Sequence, residues 1–207
     1  MKQSVFAIAL LSATAFAAPA LAAAPIYTGG FPTEIASPGT ISFTATSPKA
    51  GSSNLSFDLL GFSSLDGVNF YEDDFTLNVN GSSILSLSYD LGGSGSNVVF
   101  TQPAGTAISG GSNGFFLGGT LNITLPVALL AGVNTFSFSY ASPSGDALGG
   151  AGTHAGPQGT GDEGWAVDNI VLAAPTPEPE AWASMIVGLG LAGFVARRRA
   201  RKMAATA

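Results

Sequence analysis

Apolar side chains recur at every second position through most of residues 26 to 174. Leu55, Phe57 and Leu59 alternate with Ser56 and Asp58; Phe75, Leu77 and Val79 alternate with Thr76 and Asn78; Leu85, Leu87 and Tyr89 alternate with Ser86 and Ser88. A period of two belongs to strands with one buried face. Leu121-Ile123-Leu125 and Phe136-Phe138-Tyr140 continue the pattern, and Ile41-Phe43, Val98-Phe100 and the run from Trp165 to Leu172 bring the expectation to about eight strands. Asn80-Gly81, placed between two such rows, is the turn pair that tolerates the positive φ angles of a tight hairpin. No stretch of this region carries a sustained helical stripe with caps.

Short strands with one apolar face each need a second sheet to cover that face. The pattern therefore predicts an all-β body over residues 23–174, a β-sandwich of jelly-roll type. An immunoglobulin-like topology has the same periodicity and stays open as the alternative.

The ends read differently. Residues 1–22 open with Lys2, continue with a predominantly apolar run of 12 residues from Val5 to Phe16, and close on Ala20-Leu21-Ala22. This is the layout of a secretory signal peptide, cut by signal peptidase near Ala22. At the other end, residues 175–180 form a Pro- and Glu-containing spacer, and 181–207 an apolar helix followed by a basic tail. Its apolar part, Ala181 to Ala196, has 16 residues, about 24 Å of helix against a hydrocarbon core of about 30 Å. A transmembrane helix there would be short. The arginines after it would sit in the cytoplasm and leave the body outside.

Charge sharpens this picture. Between residues 23 and 174 there are eleven acids and one base, Lys49, a balance of minus ten. Such a body lacks the cations that neutralise phosphates, which excludes nucleic acid as a partner. The chain has no cysteine, so disulfides, thiolate metal sites and cysteine nucleophiles are excluded.

Pro177-Glu178-Pro179, Trp182 and Ala183, followed by an apolar helix and Arg197-Arg198-Arg199, closely resemble the PEP-CTERM sorting signal in its Pro-Glu-Pro-x-x-Trp-Ala variant. The resemblance covers roughly the last thirty residues. It implies recognition by an exosortase, a membrane-embedded cysteine enzyme that cuts near Pro177-Glu178-Pro179. It further implies export with transient inner-membrane anchoring, then release to the cell surface, the extracellular matrix or the medium, often in bacteria that make exopolysaccharide. A permanent single-span tail is the competing reading of the same residues. Within the body, Ala128 to Tyr140 is similar to a late turn and strand of carbohydrate-binding jelly rolls, and Asp162 to Leu172 looks like the last strand of extracellular jelly-roll modules.

Candidate chemistry is sparse. The single histidine, His154, lies in a stretch from Ser144 to Gly164 with eight glycines among 21 residues. No nucleophile elbow accompanies it. Gly159 to Gly164 spells G-x-G-x-x-G, but it precedes a strand and carries two acids, so it fails as a dinucleotide loop. No catalytic residue is assigned and no enzyme is expected. Glu72, Asp73 and Asp74 are consecutive, and Asp168 falls in the last row on the face of Ile170 and Leu172. If that face is buried, an ionised carboxylate there needs a partner or a cation. Resemblance to jelly rolls that hold a structural calcium makes Asp168 a ligand with Asp73 or Asp74; otherwise Asp168 faces solvent or backbone amides and the triplet is a soluble strand start. Trp165, with Tyr71, Tyr89 and Tyr140, is either a sugar-stacking platform or core packing. These observations imply an exported surface or matrix protein whose sandwich is a non-catalytic structural or adhesive unit, with an exopolysaccharide-binding module as the alternative.

Overall fold

A computed structural model describes residues 24–141, 159–176 and 179–204. Residues 1–22, where a signal peptide is expected, His154, and Pro177 with Glu178 lie outside the described residues. Ten strands follow in order: β1 (Pro25–Ala36), β2 (Gly39–Ser47), β3 (Gly51–Gly61), β4 (Asp74–Val79), β5 (Ser82–Ser88), β6 (Val98–Thr101), β7 (Ala107–Ser112), β8 (Gly119–Leu129), β9 (Gly132–Ala141) and β10 (Gly164–Ala173). One sheet has the order β1-β10-β3-β8-β7 and the other β2-β9-β4-β5-β6. Every pairing is antiparallel. Six of the nine connections pass from one sheet to the other, and only β4–β5, β5–β6 and β7–β8 stay within a sheet.

The periodic rows explain why the layers meet. Leu55, Phe57 and Leu59 of β3 and Leu121, Ile123 and Leu125 of β8 point inward from the first sheet. Phe75 and Leu77 of β4, Leu85 and Leu87 of β5, and Phe136 and Phe138 of β9 face them from the second. All of these are essentially inaccessible to solvent. The outer face of the second sheet is lined by cross-strand neighbours without charge: Thr40, Ser139 and Thr76 in one row, Ser42, Ser137 and Asn78 in the next. Asn80 and Gly81 both have positive φ, 52° and 82°, as a two-residue hairpin of the primed type requires. Their turn is tied to the neighbouring connection, since Asn80 Nδ2 donates to Oδ1 of the buried Asn134 at 2.9 Å.

Two strands exceed the periodic reading. β1 has no clean alternation and its pairing with β10 shifts register three times. β7, Ala107–Ser112, contributes only Ile108 to the core.

The tail forms α1 (Pro179–Ala204), 26 residues long, with proline at its first position, where its missing N–H costs nothing. Met185, Ile186, Leu189, Leu191 and Phe194 are exposed. The expected transmembrane helix over 181–207 is corrected here: a helix forms, but among the described residues no helix is long and apolar enough to cross a membrane. The apolar part is too short, and Arg197, Arg198, Arg199, Arg201 and Lys202 occupy the turns that would otherwise extend it.

Candidate functional site

The sandwich has two distinct ends. At one, β10 runs out at Ala173 and the chain leaves toward the tail, pinned by Ala174 N–H donating to Ala24 O at 2.9 Å and Thr176 N–H to Ser52 O at 3.2 Å. At the other lie segments 62–73, 89–97, 113–118 and 159–163, which connect or precede strands of both sheets. The acids gather there. Asp66, Glu72, Asp73, Asp74, Asp90, Asp162 and Glu163 all belong to this end, and Glu34 Oε1 accepts Gly161 N–H beside them.

Backbone bonds lock these loops together. Gly67 and Val68 donate to Ser94 O and Ser96 O, each at 2.8 Å, Leu91 donates to Leu65 O at 2.9 Å, and Ser64 donates to Asp162 O at 2.8 Å. Such satisfaction lets irregular backbone stay close to the core. Gly92 is required at its position, with φ 107° and a Cβ that would fall 1.9 Å from Ser63 O.

Asp66 sits at the centre. Its Oδ1 accepts Asn69 Nδ2 and Ser94 N–H, both at 2.8 Å, and Ser94 Oγ at 3.1 Å, while its own N–H donates to Asp73 Oδ2 at 2.8 Å. Burial raises its carboxyl above the ordinary value of 3.8; the bonds from Asn69 and Ser94 pull it back, and Asp90 pushes it further up. The Tyr140 hydroxyl rises well above its ordinary 10.0, first because it is buried and then because Asp73, Asp74 and Asp66 are near. Among the described residues no hydrogen-bond partner reaches Tyr140 Oη or Trp165 Nε1.

The Asp66 geometry has a pH consequence. A raised folded value means that the native state holds the proton more tightly than the unfolded chain. The stability this group contributes is therefore fully present below 3.8 and is lost as pH rises through the folded value. Asp66→Asn keeps an acceptor for Asn69 and Ser94, so its melting temperature is expected to gain on the wild type between about pH 4 and pH 7. Melting curves of both proteins across that range test this; a difference that stays constant with pH would contradict it.

The structure separates the residues proposed as calcium ligands. Asp73 and Asp74 are buried at the start of β4, so the acid triplet is not a solvated strand start. Asp168 lies on the first sheet, directly opposite Asp58. A register shift after Asp168, with Asn169 at φ 50°, turns Asp168 off the face of Ile170 and Leu172 and onto the half-exposed outer surface. That corrects its expected placement, because the extra residue breaks the period of two. Asp58 accepts Asn122 Nδ2 at 2.6 Å and Asn169 Nδ2 at 2.7 Å, which offsets the like charge facing it. Among the described residues no group of three or more His, Cys, Asp or Glu side chains is arranged to hold a metal ion.

Trp165 is not a stacking platform. It is fully buried, with ring centroids 5.6 Å from Tyr140 and 6.4 Å from Phe75. Tyr140 is buried too, and Tyr89 packs against the core. The exposed rings of this end are Phe70 and Tyr71 on one loop and Phe115 and Phe116 on another. The phenylalanines escape a reading that seeks platforms among Trp and Tyr; the signal for them is Asn113-Gly114-Phe-Phe-Leu-Gly118-Gly119, apolar residues bracketed by turn formers.

Of the sorting-motif residues, Pro179, Trp182 and Ala183 fall in the first turns of α1, and Arg197 and Arg198 are exposed near its C-terminus, with Arg199 following. A family model described as the PEP-CTERM protein-sorting motif matches residues 175–199. No curated protein matches the chain. Among solved structures it is similar to CBM35 from Cellvibrio japonicus Abf62, at 12% identity over 76% of this chain and 92% of that one, with a TM-score of 0.36. A family 35 carbohydrate binding module from an environmental isolate matches at 17% identity over 75% and 85% of the two chains, TM-score 0.34. A Paenibacillus cycloisomaltooligosaccharide glucanotransferase complexed with cycloisomaltoheptaose matches at 13% identity over 73% of this chain and 17% of that one, TM-score 0.34.

Proposed function

We propose that this chain is an exported surface or matrix protein, sorted through its PEP-CTERM motif, whose β-sandwich is a non-catalytic structural or adhesive unit. The observation that carries the reading is the motif itself, at residues 175–199, attached to a sandwich of two antiparallel sheets. The body suits that role. Most of its described acids gather at one end, and the outer face of the second sheet is lined by uncharged hydroxyl and amide side chains, a surface suited to an uncharged matrix.

α1 then acts as a weak anchor. Its exposed apolar stretch associates with the inner membrane in transit, without the length to cross it, and an exosortase removes it near Pro177-Glu178-Pro179. Signal peptidase acts at the other end. The mature protein is expected to lose about thirty C-terminal residues in cells that contain the sorting enzyme and to keep them in cells that lack it. Intact mass of the exported protein, together with its distribution between envelope and medium, tests this. Identical masses in both backgrounds would leave α1 as a permanent tail and refute the processing step.

A structural calcium remains a separate proposal, carried by the buried Asp73 and Asp74 and not by Asp168, whose outward position removes the need for a cation there.

A further inference from the structure

The tip of the β7–β8 connection holds two aromatic rings in solvent by design of its backbone. Phe115, Phe116 and Leu117 are 72%, 52% and 67% exposed, and the two rings meet edge to face with centroids 4.6 Å apart. Phe116 has φ 57°, a left-handed conformation that a bulky side chain adopts only when its surroundings impose it. Here they do. Asn113 N–H donates to Gly118 O at 2.8 Å and Leu117 N–H to Gly114 O at 2.9 Å within the tip, while Phe116 N–H donates to Gly92 O at 2.6 Å and Gly118 N–H to Ser63 O at 3.0 Å. The tip is thus fixed to both neighbouring loops by main chain, and its side chains are left outside. Strained, over-determined backbone that displays apolar rings points to a binding function, because folding alone would bury them.

Place and charge narrow the partner. The tip lies at the end of the sandwich opposite Ala173, where the sorting tail leaves, and the 10 residues of β10 separate the ends by about 33 Å. The tip is therefore clear of the segment through which the chain continues toward α1. The body's only base, Lys49, belongs to the β2–β3 turn at the far end. With acids around the tip and no cation, anionic polymers and anionic lipid surfaces are repelled. What remains is two pairs of exposed rings, each pair edge to face, Phe115 with Phe116 and Phe70 with Tyr71 at 5.3 Å, on loops joined by the Gly118–Ser63 main-chain bond, with Asn69 and Ser94, joined at 2.9 Å, supplying an amide and a hydroxyl next to Phe70. Apolar faces rimmed by a few hydrogen-bonding groups match the apolar face and peripheral hydroxyls of an uncharged sugar ring.

We propose that Phe115 and Phe116, with Phe70 and Tyr71 on the adjoining loop, form a binding platform for a neutral polysaccharide. The proposal rests on the adhesive reading above and names its partner. Mature mass and location judge that reading without involving these rings, so the two fail separately.

The test is affinity electrophoresis of the exported protein in native gels containing galactomannan, glucomannan, xylan, β-glucan or dextran, with alginate as an anionic comparison. The variant is Phe115→Ser/Phe116→Asn, in which asparagine accepts the left-handed φ at position 116. At least one neutral polymer is expected to retard the wild type. The variant should bind it at least tenfold more weakly while melting at the same temperature or higher. Retardation by none of the neutral polymers, or equal retardation of wild type and variant, overturns the proposal. So does variant-sensitive retardation by alginate, variant-sensitive co-sedimentation with phosphatidylcholine vesicles, or a dimer in sedimentation velocity that the variant abolishes; these would assign the tip to an anionic polymer, a membrane or a second copy.

Discussion

Phe138→Ala is expected to destabilise the sandwich by about 3–5 kcal/mol, the range for removing a fully buried aromatic ring. Phe138 is inaccessible to solvent. Its ring projects from β9 in the second sheet, lies edge-on to Phe57 of the first sheet at 5.0 Å, and is flanked by Phe43 at 6.0 Å and Phe75 at 6.2 Å. Each neighbour sits on a different strand held by its own ladder, so none can move in to fill the void. For a body of this size the loss corresponds to a fall in melting temperature on the order of 10 °C. Denaturant unfolding should show a lower midpoint with an unchanged slope. A loss below about 1 kcal/mol would mean that the two layers do not meet at this ring.

Trp165→Ala is expected to cost a similar 3–5 kcal/mol, and here the comparison with Trp165→Phe is informative. The indole packs against Tyr140 and Phe75 across the layers, while its Nε1 finds no hydrogen-bond partner among the described residues. Phenylalanine keeps much of the packing and removes an unsatisfied buried donor, so its cost should be about 1 kcal/mol. Neither variant should alter ligand binding at temperatures where it is folded, since the ring has no exposed surface. Loss of polysaccharide binding by Trp165→Ala at an unchanged melting temperature would reverse this assignment.

The contrast between Trp165 and Phe115 shows what a one-dimensional reading can and cannot supply. Eight strands were legible because Leu55-Phe57-Leu59 or Phe136-Phe138-Tyr140 repeat the pleat of a half-buried strand, and Asn80-Gly81 was legible because few residues accept two positive φ angles in succession. β1 and β7 were not, because an edge strand needs only part of one apolar face. In Ala107–Ser112 a single isoleucine serves, and in Pro25–Ala36 prolines and glycines break the alternation at sites where the register shifts. Asp168 was placed on the wrong face because one extra residue at Asn169 inverts everything beyond it. The acids at 72–74 were legible as a cluster but not as a buried one, since their burial depends on how segment 62–73 folds over the end of the sandwich and meets segment 89–97.

By itself the sequence determined the layered β architecture, the acidic and cation-poor body, and the sorting address at the C-terminus, because each depends on residues adjacent or regularly spaced along the chain. Only the tertiary structure decided which aromatic rings are core and which are surface, that Asp168 looks outward, and that the exposed phenylalanines stand at the end away from the tail. Those outcomes follow from contacts between segments distant in sequence, where one main-chain hydrogen bond from Phe116 to Gly92 or one inserted residue at Asn169 determines where a side chain points.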